Sequence, residues 1–384
     1  MSDFLPREVM GEILARLPVK TVVQIRCVCK SWNSLITSDN FITLYLNRTT
    51  HLNNTNNTHL LLVRQCTKNQ DKEEEEEHYS LHFDNQSFDT YRVNLESPTP
   101  VFESYFRILG SCNGLVCLSD DLCSYTDLTF LWNPTIRKWL ELPEPRVTFQ
   151  SYGPHWLALG FGFDCRTNDY KVVRVVFPEF GEVSSHCEVE LYSLKQGSWR
   201  SISSTTRPRY RINYTSSATQ AFFNGAVHWI GGGYRDYPPL IFSFDMSTEE
   251  FHEMKLPTSL VCAGVLDLNI AVIKESLSVF QYHRTTTRQV SIWVMKEYRV
   301  SESWAQLFTV DLDRGYGKII GFRRNGEVLL PSNGDMLSVD LQAQQSTFCG
   351  IRGVAKSFYV GNYTESLVLL NKGIGLFGDA NTVS

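Results

Sequence analysis

From about residue 106 onward the chain is a succession of short apolar strands broken by Gly, Asn, Asp and Pro, and a recurring unit runs through it. Each unit is a strand, a polar turn and then an aromatic. The instances are Trp132-Asn133-Pro134 to Trp139, Leu191-Tyr192-Ser193 to Trp199, Phe244-Asp245-Met246 to Phe251, and Val339-Asp340-Leu341 to Phe348. Trp293-Val294-Met295 to Trp304 fits with a longer turn. The closing aromatics recur roughly every 50 residues, the period of propeller blades, each of which buries its face against the next. A second pattern places Asn113-Gly114, Asn224-Gly225 and Asn325-Gly326 immediately before apolar runs. Asn-Gly supplies the positive φ angles that a tight hairpin turn requires. Helical periodicity is almost absent here, so the region reads as all-β. The first expectation is a degenerate β-propeller of six or seven blades; an irregular β-sandwich or barrel is the second. Trp139, Trp199, Trp229 and Trp304, at strand ends, read as blade packing.

The amino-terminal stretch has a different period. Val9, Ile13 and Leu17 recur on one helical face, and Pro6 stands where a helix start tolerates a missing N–H. Leu17-Pro18 closes that helix, because the residue before a proline is pushed out of the α region. A second helix is predicted through Val19, Val22, Val23 and Arg26, and a third carrying Val28, Trp32, Leu35 and Ile36, with Trp32 in its core. Three such helices are too small to support a core alone, so the bundle should lean on a neighbour. Ser38-Asp39-Asn40 reads as the N-cap of a further helix ending near Asn47. The expected organisation is therefore a helical module over residues 1–47, a polar connector over 48–58 and a large all-β domain over 59–384, an α+β multidomain chain. The acidic tract Asp71 to Glu77 reads as a solvated loop between two strands.

The helical residues also carry a family resemblance. Leu5-Pro6-Arg7-Glu8, Ile13-Leu14-Ala15-Arg16-Leu17-Pro18-Val19-Lys20 and Arg26-Cys27-Val28-Cys29-Lys30-Ser31-Trp32 resemble a plant F-box. The β region is similar to the F-box-associated, kelch-like domain of plant F-box proteins in three places. These are Gly110 to Cys117, Trp132 to Trp139, and Leu159-Gly160-Phe161-Gly162-Phe163-Asp164 through Asp169-Tyr170-Lys171-Val172-Val173-Arg174. Both S-locus F-box proteins and F-box/kelch regulators share this pattern. The resemblance implies a three-helix F-box that docks a Skp-type adaptor and, through it, a cullin. It also implies a β domain that holds a target protein for ubiquitination.

An apolar helical face laid into a groove of a helical partner is a recurring recognition mode in which a few buried anchors carry the energy. Leu5, Pro6, Ile13, Leu17, Pro18, Val19 and Val23 are the expected anchors, with Lys20 and Lys30 on the rim. For the target, exposed Arg and Tyr in loops are the candidates: Arg209, Tyr210, Arg211, Tyr234, Arg235, Tyr237, Arg314 and Tyr316.

Composition narrows the remaining classes. The chain has 36 basic and 41 acidic residues, a net charge of −5, so no global basic field favours nucleic acid. No apolar run approaches the ~18 residues of a membrane span, and the charged first residues exclude a secretory h-region, so a cytoplasmic or nuclear location is expected. The 10 cysteines are then expected to be reduced and mostly buried, with neither metal nor cofactor. The leading function is a non-catalytic receptor subunit of a Skp–cullin–F-box (SCF) ubiquitin ligase. Its alternatives are an F-box protein whose β domain binds a small molecule or glycan, and a propeller enzyme. The 9 histidines are scattered, and no Gly-x-Ser-x-Gly, Walker-type or His-Glu-x-x-His motif appears.

Overall fold

The computed structural model describes residues 5–56, 58–68, 75–92, 95, 106–120, 127–179, 187–203, 207–208, 211–213, 220–232, 238–283, 289–312, 317–372 and 374–375. The β region forms six antiparallel sheets, and these are the blades of a propeller rather than the faces of a sandwich. Blade 1 takes its inner strand, Tyr359–Tyr363, from the far end of the chain; Leu60–Lys68, Glu75–Phe83 and Thr90–Arg92 complete it. The register from Leu60↔Tyr363 to Arg64↔Tyr359 closes the ring. Blade 2 comprises Arg107–Cys112, Leu115–Ser119, Thr129–Asn133 and Lys138–Glu141, with Ile374–Gly375 as a fifth strand at its outer edge. Blade 3 comprises His155–Asp164, Asp169–Pro178, Glu188–Ser193 and Ser198–Ser201. Blade 4 follows with Ala221–Phe223, Ala226–Gly231, Leu240–Asp245 and Phe251–Lys255. Blades 5 and 6 are built from Leu268–Ile273, Ser276–His283, Gln289–Met295 and Trp304–Asp311, then Gly321–Phe322, Val328–Ser332, Asp335–Asp340 and Gln345–Arg352.

The closing aromatics mark the outer strands of blades 2 to 6. Each faces a residue of the third strand: Trp132↔Trp139, Tyr192↔Trp199, Phe244↔Phe251, Met295↔Trp304 and Leu337↔Phe348. Three tryptophans also tie a blade to the one before it. Trp199 Nε1 donates to the Pro143 carbonyl at 2.7 Å, Trp229 Nε1 to Leu159 at 2.8 Å and Trp304 Nε1 to Lys255 at 3.1 Å. Phe348 departs from the pattern at 44% exposure. The close approach of blades 3 and 4 explains the Leu159-Gly160-Phe161-Gly162 run. A Cβ on Gly160 would lie 2.4 Å from Trp229 and one on Gly162 2.4 Å from Phe222.

Two of the three expected Asn-Gly turns have both residues at positive φ, 48° and 83° at Asn113-Gly114 and 48° and 74° at Asn224-Gly225. At Asn325-Gly326 only Gly326 does, at 96°. A further Asn-Gly pair, Asn333-Gly334, not among the expected turns, joins Val328–Ser332 to Asp335–Asp340 with φ of 50° and 88°.

Among the described residues, four helices precede the propeller: α1 (Arg7–Leu14), α2 (Val19–Ile25), α3 (Lys30–Ile36) and α4 (Asp39–Asn56). Pro6 and Pro18 occupy the N-cap positions of α1 and α2, so Pro18 begins a helix rather than merely ending one. Ser38 Oγ accepts the Phe41 N–H at 3.3 Å and caps α4. Residues 48–56, expected as connector, are the second half of α4. Val28 lies outside α3 and is 66% exposed, and Trp32 is half-buried against the helical core. Of the acidic tract, Glu75–Glu77 belong to the third strand of blade 1; residues 71–74 are outside the described residues. Among the described cysteines, Cys66, Cys112, Cys117 and Cys187 are buried, Cys349 is half-buried, and Cys27, Cys29, Cys165 and Cys262 are exposed. Burial is thus less general than expected.

Candidate adaptor interface

The helices find their neighbour within the same chain. Leu14, Val22, Ile36, Phe41 and Tyr45 belong to one apolar cluster with Leu115, Leu131, Phe161 and Tyr170 of blades 2 and 3. The segment after the inner strand of blade 1 lies between them, with Leu367, Leu369 and Leu370 buried in that same cluster. Asn133 Nδ2 holds this segment by donating to the carbonyls of Ser366 at 3.1 Å and Val368 at 2.9 Å. Asn371 Nδ2 in turn donates to the Thr37 carbonyl at 3.2 Å, and Asn168 Nδ2 of blade 3 to Thr43 Oγ1 at 3.0 Å. These contacts involve the turns after the inner and third strands, so the helices occupy one face of the ring.

The opposite side of the small bundle is open. Leu5, Val9, Ile13 and Val28 are 49%, 42%, 48% and 66% exposed, while Gly11, Leu14 and Ala15 of the same helical region turn inward. An apolar patch rimmed by polar groups marks an interaction site. Pro6, Pro18, Lys20 and Lys30 are also exposed, and Leu17 and Val23 are half-buried. Val19 is corrected: at 3% exposure it is core, because its side chain points into the cluster beneath α2. Val9 and Val28, not counted as anchors, are among the more exposed apolar groups. Spacing marks them as apolar helical positions but does not distinguish the outward side of such a stripe from its inward side.

The expected target-binding residues are less well placed. Arg211 is half-buried, and its Nη2 donates to the carbonyls of Pro178 at 3.2 Å and Glu179 at 3.1 Å, which makes it a tie between blades 3 and 4. Arg209, Tyr210, Tyr234, Arg235, Tyr237, Arg314 and Tyr316 lie outside the described residues.

Comparison with known families decides the identity of both regions. Residues 3–44 match the model of the F-box domain, and residues 75–368 that of the F-box associated beta propeller domain. The chain is an F-box protein. The Arabidopsis thaliana F-box/kelch-repeat protein At3g23880 is 30% identical over 80% of this chain and 79% of its own length. F-box protein At3g07870 and F-box protein CPR1 of the same plant are each 28% identical, covering 80% and 99% of this chain and 73% and 91% of their own. The F-box domain indicates binding to Skp-type adaptors in SCF complexes. The pairing of F-box and propeller supports a general role in substrate recognition.

Proposed function

We propose that this F-box protein is the substrate receptor of an SCF-type ubiquitin ligase, working in the cytoplasm, the nucleus or both. Its F-box docks a Skp-type adaptor through the open face around Leu5, Val9, Ile13 and Val28, and its propeller holds a target protein. The observation that carries this reading is that face, which stays exposed after the propeller has covered the other side of the helices. The chain acts without chemistry of its own: fixing the target near a charged conjugating enzyme raises their effective concentration.

In this reading the two tasks fall on opposite sides of the ring. The F-box sits against the turns that follow inner and third strands, so the described loops 142–154 and 256–267 between blades leave the ring on the far side. A target bound there would not compete with the adaptor. Co-purification with a recombinant Skp-type adaptor tests the reading. The unmodified chain should retain the adaptor, and Ile13→Asp combined with Val28→Asp should lose it at unchanged melting temperature. Full retention by that double variant would overturn the proposal.

A further inference from the structure

Five of the six seams around the ring are filled by the third strand of one blade packing on the blade before it. Blade 2 contributes Phe130 and Trp132, blade 3 Tyr192, blade 4 Phe242 and Phe244, blade 5 Trp293 and Met295, and blade 6 Leu337 and Val339. Blade 1 breaks the rule. Its second strand faces blade 6 first with Leu61 and Val63 and then with Gln65, while the paired positions of its third strand are His82, Ser80 and His78. Imidazoles and a hydroxyl stand where blades 2, 4, 5 and 6 carry large apolar side chains; in blade 3 the buried Glu190 shares that face with Tyr192, but it is ion-paired to Arg174.

The missing bulk leaves a cavity of about 270 Å³ between these residues and Gly350–Arg352 on the outer strand of blade 6. At Gly350 a Cβ would have open space around it. Ile351 and Tyr79 share the walls with polar side chains, and these polar groups are held in place. His78 Nε2 is 2.7 Å from Thr67 Oγ1, and His82 Nε2 is 2.9 Å from Ser80 Oγ. Burial lowers the affinity of His82 for a proton. Gln65 Oε1 is buried without a hydrogen-bond partner among the described residues, an acceptor that costs free energy until a donor reaches it. Arg352 at the mouth is balanced by Asp335, Nε to Oδ1 at 3.0 Å.

We propose that this recess binds a small, uncharged, hydroxyl-rich molecule of about the size of a cyclitol or monosaccharide. A charged ligand would lose its hydration with no unpaired opposite charge among the described lining residues to meet it. An apolar ligand would leave Gln65 and the hydroxyls unsatisfied. A hydroxyl can donate to Gln65 Oε1 and both donate to and accept from the imidazoles and side-chain hydroxyls around it. The volume lies just below the range of sites for drug-sized ligands, which also favours a compact occupant. The recess stands beyond the adaptor face, so its ligand would act on the propeller, free in solution or carried on a target as a sugar.

The test uses the full chain with myo-inositol, D-glucose, inorganic phosphate and indole as probes, read by melting temperature and by the imidazole NMR signals of His78 and His82. Either polyol should raise the melting temperature saturably, by about 3 °C, and move those signals. Gln65→Leu, which removes the unpartnered acceptor, and Ser80→Leu, which fills the hole, should each weaken binding about tenfold or more. A glycosylated peptide carrying the better sugar, compared with the free sugar, separates the two sources. The proposal is overturned if neither polyol binds, if both variants bind as the unmodified chain does, or if only phosphate or indole binds in a Gln65-dependent way. None of these readouts involves the adaptor, so its failure is distinct from failure of the receptor reading.

Discussion

Ile13 and Leu17 lie on one sequence stripe, yet the fold gives them different work. Ile13 is 48% exposed, whereas Leu17 packs half-buried against the helical core, beside the hydrogen bond from Tyr45 Oη to its own carbonyl at 3.2 Å. Ile13→Asp should therefore cost adaptor binding ~2 kcal/mol or more while leaving stability within ~0.5 kcal/mol. Leu17→Asp should lower both, because a carboxylate would be placed at an apolar contact. Binding measured beside thermal melts distinguishes them. A second residue sets a pH dependence. His228 is fully buried in blade 4, 3.0 Å from the Ala221 carbonyl and 2.9 Å from Tyr298 Oη, and burial pushes its pKa down from 6.5 to about 4. Below about 6.5 the unfolded chain takes up a proton that the folded chain refuses until about 4. This group therefore costs stability as pH falls through that window and is silent above it. The loss approaches ~3 kcal/mol. His228→Gln should flatten the decline in melting temperature between pH 7 and 4.5; an unchanged slope would assign the decline to other groups.

At the scale of elements, the seams depend on a few positions that tolerate no added atom and a few that tolerate no loss. Gly160→Ala drives a methyl into Trp229 and Val227, both buried in the blade 3–4 seam, and should destabilise by ~2 kcal/mol or more. The carboxy-terminal segment works in the opposite sense. Leu367 is fully buried between the F-box and the propeller, so Leu367→Ala should cost ~3 kcal/mol and speed proteolysis at α1 to α3 more than within the blades. Equal acceleration everywhere would mean that the segment supports the ring rather than the joint. The closing aromatics were legible because they recur on outer strands with a regular partner. The continuation of α4 was not: Thr49 and Thr55, at 48–56, read as loop formers, but their hydroxyls donate back to Tyr45 and His51 carbonyls within the helix.

For the whole molecule, closure couples the two ends. The strand Tyr359–Tyr363 pairs with Leu60–Lys68 across almost the full length of the chain, and the residues after it seal the F-box against blades 2 and 3. A chain ending at residue 358 should lose the cooperative melt of the ring, since an opened propeller exposes a strand edge and an apolar seam. Retention of a single sharp transition, followed by circular dichroism, would show that five blades and part of a sixth suffice. The same coupling bears on deleting the F-box. Removing residues 1–47 uncovers Leu115, Leu131 and Leu367, so the exposed-face substitutions are the cleaner way to separate adaptor from target binding.

Periodicity alone determined that this chain carries a short helical module and a series of repeated β units, with a ring as the first expectation and a sandwich or barrel as the second, because most units present a similar apolar alternation and turn to their neighbours. The residues of the F-box motif were equally plain, since their spacings are local. What spacing could not decide was orientation. Val19 and Ile13 are both apolar helical positions, and only the packing of α2 and blades 2 and 3 turned one inward and left the other in water. Blade number, the seal formed by Ser366 to Lys372 and the polar recess of blade 1 are likewise tertiary facts. Each arises from contacts between residues far apart in the chain, where free energy depends on which surfaces meet and not on the order in which they were written.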